Sequence, residues 1–207
     1  MRKALLIVSV AVFGLSFGCG GKDAKDKPAT TFTDSDGQVY RIVEIGGQVW
    51  FAENLNYAAK GSKCYEDSAE YCAKYGRLYD WVTAKKACPA AYHLPSDDEW
   101  TALVNYAGRV KNAGTKLKSS TGWESDKGVP AGTNEYGFSA LPGGYGNSVG
   151  YFINAGNYGL WWSATGGDAS LARYRAILYD NESVGWGDDD KTRLLSVRCV
   201  QDREGEE

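Results

Sequence analysis

Asp80-Trp81-Val82-Thr83-Ala84-Lys85-Lys86-Ala87-Cys88-Pro89, and after it Ser96-Asp97-Asp98-Glu99-Trp100, is the stretch on which the fold class turns. Asp80 is placed to cap a helix with Trp81, Ala84, Lys85 and Cys88 on one face at the helical period, and Pro89 stops it. Ser96 and Glu99 form a capping box, with Asp97, Asp98 and Glu99 beside the positive end of the helix dipole. Trp100, Leu103, Val104 and Ala107 give this second helix its apolar face, ending near Gly108. Upstream, Val39–Ile45 places Val39, Arg41, Val43 and Ile45 on one face and Tyr40, Ile42 and Glu44 on the other. Gly46-Gly47 then separates it from Gln48–Ala52, which is a hairpin signal. Downstream, glycine-broken runs read as strands: Phe138–Leu141, Leu160–Ser163, Ala172–Tyr179 and Leu194–Val200. A hairpin, two helices and then many strands predict an α+β fold, with two helices packed on short, mostly antiparallel twisted sheets with long loops.

The composition fits a single folded domain. Among 207 residues there are Gly 26, Tyr 14 and Trp 7 against one Met and one His, amounts that suit tight turns between short strands. Lys+Arg 23 against Asp+Glu 26 gives a formal charge of -3, so no basic surplus recruits nucleic acid. A single histidine excludes any site that needs two.

The N-terminus reads as an address. Arg2 and Lys3 precede the almost unbroken apolar run Ala4–Phe17, which at about 1.5 Å per residue falls well short of a ~30 Å hydrocarbon core. It is therefore a signal-peptide core, not a stable span. Leu15-Ser16-Phe17-Gly18-Cys19 is similar to a bacterial lipoprotein signal, in which the cysteine is acylated, here with a palmitate-type chain, and becomes the mature N-terminus. The leucine stands four residues before Cys19, not three, and Phe17 is bulky for its place; ordinary cleavage after Gly18 is the plain alternative. Cysteine parity favours lipidation. Acylating Cys19 leaves Cys64, Cys72, Cys88 and Cys199, an even set for an exported chain, whose connectivity spacing alone leaves open. The expected organisation is a signal over residues 1–18, an acylated Cys19 and flexible tether over 19–31, a domain over 32–201 and a polar tail over 202–207. The expected location is the cell envelope, as an outer-membrane lipoprotein facing the periplasm or the surface.

Several motifs in order carry a family resemblance. They are Gly46-Gly47-Gln48-Val49-Trp50-Phe51-Ala52-Glu53-Asn54-Leu55-Asn56-Tyr57, Lys74–Trp81, Ala87-Cys88-Pro89 through His93–Trp100, Gly137–Tyr145, Trp162-Ser163 and Ser196-Val197-Arg198-Cys199-Val200. Together they resemble the Fibrobacter succinogenes major paralogous domain, a family of exported bacterial proteins that are often lipoproteins. The resemblance implies kinship with the C-type-lectin-like fold of the formylglycine-generating enzymes. That kinship in turn implies a bridge from the first helix to the last strand, Cys88 to Cys199, leaving Cys64 with Cys72. Closing a loop of that length would restrict the unfolded chain by up to ~4–5 kcal/mol. The related enzymes use a reactive cysteine pair late in the chain. This sequence has only Cys199 there, so their activity does not carry over.

For chemistry, His93 in Tyr92-His93-Leu94-Pro95 is the lone imidazole, and its plain reading is a partly buried ring bonded to backbone. No catalytic residue is assigned. Zinc is not expected of the four cysteines, which lack a close ligand pair. Asp180 and Glu182, with Asp188, Asp189 and Asp190, are of the type that Ca²⁺ takes from loops; read plainly they are solvated, and no cofactor is assigned. The remaining signal is aromatic. Gly143–Trp162 reads as a loop that sets Tyr145, Tyr151, Phe152, Tyr158, Trp161 and Trp162 among glycine and asparagine, as in paratopes. One of Trp161 and Trp162 is expected to be buried, and Trp50 and Trp100 are assigned to the core. Tyr145, Tyr151, Tyr158, Trp161 and Trp186 are the candidate ligand-binding residues.

Two functions follow. One is a non-catalytic, lipid-anchored module that binds a polysaccharide or a protein partner. The other is an exported enzyme with a carboxylate/His93 cleft acting on envelope or plant-wall polymers. An exposed aromatic surface favours the first, and facing acids in a closed pocket favour the second.

Overall fold

The computed structural model describes residues 30–203 other than Lys127. The expected signal peptide, Cys19 and the tether up to residue 29 lie outside the described residues, as does the tail from residue 204.

The strands come in three groups. The first is β1 (Thr30–Thr33), β2 (Val39–Ile45) and β3 (Gln48–Phe51). Gly46 and Gly47 both take positive φ, 61° and 79°, which is the conformation a two-residue hairpin turn needs and few side chains tolerate. The second group is helical, with two short strands: α1 (Ala69–Tyr75), β4 (Leu78–Tyr79), α2 (Trp81–Ala87), β5 (Tyr92–His93), α3 (Asp97–Tyr106) and α4 (Ala113–Leu117). The third is β6 (Gly143–Asn147), β7 (Phe152–Ala155), β8 (Tyr158–Gly166), β9 (Leu171–Leu178), β10 (Gly185–Asp190), β11 (Arg193–Ser196) and β12 (Val200–Gln201).

These strands build two sheets. One runs β1-β2-β3-β12-β5; the other runs β10-β9-β8-β11-β6-β7, with β4 also on β11, and curls into a half-barrel. The α+β expectation is overturned: the chain is mostly β, 35% strand against 18% helix. Both expected helices form. Asp80 accepts from the Thr83 amide, and the Ser96/Glu99 capping box is complete. They are short, however, and lie against a sheet whose longest strands they do not match. The extra β content comes from stretches without an alternating pattern. Gly143–Trp162 is a hairpin plus the start of β8, not a loop, and the acid-rich Gly185–Asp190 is an edge strand. Phe138–Leu141, expected as a strand, makes only a single bridge, Lys118 to Ala140.

Trp161 and Trp162 are both fully buried, against the expectation of one. The reason is that β8 is covered on both faces, so it has no solvent side to alternate toward. Trp161 faces Trp100 of α3, 6.2 Å between ring centroids, while Trp162 packs in the other core with Tyr79, Trp81 and Leu195. Trp50 and Trp100 are core residues, their centroids 5.0 Å apart.

A polar hub locks the sheets together. Arg198 is fully buried, and its guanidinium donates to the Phe51 and Phe138 carbonyls at 3.1 and 2.6 Å and to Asn54 Oδ1 at 2.7 Å. Asn54 Oδ1 also accepts from Trp161 Nε1 at 2.8 Å, and Asn54 Nδ2 donates to the Tyr75 carbonyl at 2.8 Å. Burial pulls the guanidinium down to about 9, which leaves it a cation at neutral pH. Dipoles of uncharged oxygens carry that charge, and among the described residues no carboxylate bonds it. Disulfides close the frame at Cys64–Cys72 and Cys88–Cys199, the pairs the resemblance implies.

Candidate functional site

The exposed edge strand β10 collects the residues best placed for recognition. Its register sets Trp186 opposite Arg175, Gly187 opposite Tyr174 and Asp188 opposite Arg173. Because side chains alternate, Trp186 and Asp188 share one sheet face with Arg173 and Arg175, the face toward α3.

On that face Trp186 is 60% exposed and its ring lies 4.4 Å from the Arg173 guanidinium. Arg173 donates to Asp188 Oδ1 at 3.2 Å and to Asp97 Oδ2 at 3.4 Å. Asp97, the first residue of α3, also accepts from Arg175 Nε at 2.9 Å, and Arg175 reaches Thr101 Oγ1 at 2.8 Å. The acids at this helix start therefore do more than cap it: Asp97 fixes two arginines, one of which holds the tryptophan ring. Such a ring is pre-oriented, so a ligand stacking on it loses little side-chain freedom. The Trp186 ring leans along β10 toward Arg173, away from the strand's first residue.

Tyr174 lies on the opposite face, across Gly187. A Cβ at 187 would come within 2.7 Å of the tyrosine oxygen, so glycine is what lets the ring cross the strand. Arg193 stands 5.6 Å from the Tyr145 ring and bonds Asp189 at 3.3 Å. Tyr145, Tyr158 and Tyr174 are half-buried against the same core. Burial, and then the nearby Asp189 and Tyr145, push the Tyr174 hydroxyl up.

The five aromatic candidates thus part company. Trp186 is exposed beside β9, Tyr145 and Tyr158 are half-buried on the other face, and Tyr151, 67% exposed, sits after the β6–β7 turn. Trp161 is withdrawn as a ligand residue, since it is wholly buried and bonded to Asn54. Sequence reading missed Arg173, Tyr174 and Arg175; the alternating Arg-Tyr-Arg in a strand was the signal, since it puts cations and aromatic on opposite faces.

The acidic candidates do not converge. Asp188 pairs with Arg173 and Asp189 with Arg193, while Asp190 accepts from the Thr192 amide and hydroxyl. Near Asp180 and Glu182 a cation is already built in: the buried Lys118 ammonium donates to the Asn181 carbonyl at 2.8 Å, pushed down by burial while the two acids oppose that. Among the described residues no group of three or more His, Cys, Asp or Glu is arranged for a metal.

His93 departs from its plain reading. Its partners are carboxylates: Nδ1 meets Asp202 Oδ1 at 2.6 Å, and Nε2 meets Glu99 Oε1 at 2.9 Å. The Glu99 hydrogen bond, supported by Asp202 and opposed by burial, raises the imidazole to about 8. Ser96 Oγ donates to Glu99, so its hydroxyl is not poised on the ring.

Against known families, the Fibrobacter succinogenes major domain matches residues 43–201. No curated protein and no solved structure matches the chain.

Proposed function

The chain belongs to the Fibrobacter succinogenes major domain family, and from that premise we propose that it is a non-catalytic, lipid-anchored protein of the bacterial cell envelope. It binds a polysaccharide or a protein partner through the β10 edge. The observation that carries this reading is Trp186, an exposed ring on an edge strand held by an arginine that two carboxylates fix in turn. Exposed aromatics with satisfied polar neighbours are what interface hot spots are made of. The His93 cluster supports the same side. Both ring nitrogens are engaged by carboxylates, and an imidazole so tied has no free nitrogen to take a proton from a substrate.

The anchor at Cys19 and the export signal belong to the same proposal. Cys19→Ala is expected to move the protein to the soluble fraction and to abolish labelling by a palmitate analogue; unchanged membrane retention would contradict the anchor. A glycan array and insoluble-polysaccharide pull-downs with the chain lacking residues 1–19 identify the ligand class. Turnover of any arrayed glycan, lost in His93→Ala, would replace binding with catalysis.

A further inference from the structure

We infer that the end of the molecule carrying Tyr106, Arg109, Val110 and Lys111 rests on an anionic lipid surface, so that the anchored domain stands in one orientation. The inference rests on the Cys19 anchor proposed above.

The first support is where the chain enters. Thr30 pairs with Ile42, so β1 begins on the side of the Gly46-Gly47 turn. Thr30 shares the rim of an open groove of about 800 Å³ with Gly46, Gly47, Val43, Val49 and Tyr106. Tyr106 is 57% exposed, yet its ring is seated on the turn: a Cβ on Gly46 would lie 3.0 Å from it. Past Tyr106, α3 stops and the chain turns through Gly108-Arg109-Val110-Lys111, all of them exposed. Val110 is 52% exposed, and its carbonyl accepts from the Val184 amide at 3.0 Å, which pins the turn to the body of the domain.

The second support is chemical. One tyrosine, one valine and two cations form a small amphipathic patch of the kind that seats at a headgroup layer, with aromatic and aliphatic groups at the boundary and lysine or arginine toward anionic lipid. The acids close by are Glu135, which is paired with Lys116 at 3.2 Å, Glu44 in the groove, and Glu182, whose carboxylate accepts from Thr115 Oγ1 at 3.3 Å.

The third support is reach. Ten residues separate Cys19 from Thr30, a span of at most ~36 Å. A tether that short keeps the patch at high effective concentration at the bilayer, where even a weak attraction sets orientation. β6 runs parallel to β8 and β8 antiparallel to β9, so the β6–β7 turn lies at the end of the sheet opposite the β9–β10 connection that holds Val110. Val149 on that turn is 86% exposed and would point away from the membrane; Trp186 starts near the membrane-facing end, two residues after the Val184 that bonds Val110, with its ring leaning away from it.

The test uses the full lipidated protein. With Cys19 acylated and the other four cysteines bridged, a single added cysteine is the only free thiol. Val110→Cys and Val149→Cys are labelled with a fluorophore and reconstituted in phosphatidylethanolamine vesicles with or without phosphatidylglycerol, plus a headgroup-quencher lipid. The expected result is strong quenching at position 110 in the phosphatidylglycerol vesicles and little at 149. Adding Arg109→Glu and Lys111→Glu should reduce quenching at 110 to the level at 149 while the protein still floats with the vesicles. Equal quenching at the two positions, or quenching at 110 indifferent to the charge reversal, overturns the inference and leaves the anchor standing. Failure to float overturns the anchor, and the inference with it.

Discussion

At the scale of single residues, the least replaceable side chains are polar and buried. Arg198 and Asn54 sit at the crossing of the two sheets, and each satisfies groups the other elements leave open. Asn54→Leu keeps the volume but orphans the Trp161 N–H and removes one acceptor from a buried cation, at about 1–3 kcal/mol for each stranded group. The expected loss is therefore about 2–6 kcal/mol in urea unfolding, and a loss under about 1 kcal/mol would show that water takes over the hub. Asn54 and Arg198 were visible in the sequence only as letters within motifs. Nothing in hydrophobic period distinguishes a buried arginine bonded to carbonyls from a solvated one.

At the scale of elements, His93 joins three of them: its own strand β5, the first turn of α3 through Glu99, and the residue after β12 through Asp202. Its pKa is raised to about 8 from an unfolded value of about 6.5. Its contribution is thus fully present below about pH 6.5 and disappears as pH rises through 8. The ring is 39% exposed, so screening limits this to about 1 kcal/mol. Glu99 works in the other direction. Burial would raise it, but the His93 and Ser96 hydrogen bonds together hold it below the usual range, so its share is lost on acidification. Unfolding free energies from pH 6 to 9 should fall for the native chain and stay nearly flat for His93→Gln; parallel profiles would refute the linkage. The sequence made the helices and the β2–β3 hairpin legible, because a capping box, a proline stop and a Gly-Gly turn are local signals. It concealed β10, because Gly-Trp-Gly-Asp-Asp-Asp becomes a strand only through pairing with Leu171–Ala176, and it hid Asp202's bond to His93, which joins residues far apart in the chain.

At the scale of the whole molecule, the Cys88–Cys199 bridge ties the end of α2 to β12, the Arg198 hub joins the sheets, and β10 forms the outer edge of the second sheet. Rigidity matters for recognition, since a pre-set aromatic surface spends little of its contact energy on ordering. The family resemblance implied the bridges, whereas the helical emphasis of the expected architecture did not survive, because tertiary pairing and not local propensity sets the strand content. The most direct measurement is the affinity of the soluble domain and its Trp186→Ala variant for the glycan that ranks first on the array, with melting temperature followed in parallel. Loss of an aromatic anchor at a hot spot costs about 2 kcal/mol, so binding should weaken about thirtyfold while the melting temperature stays where it was. Equal affinity of the two proteins would contradict the assignment of the β10 edge, and retained affinity together with loss in a Tyr151→Ala variant would move the recognition surface to the far turn.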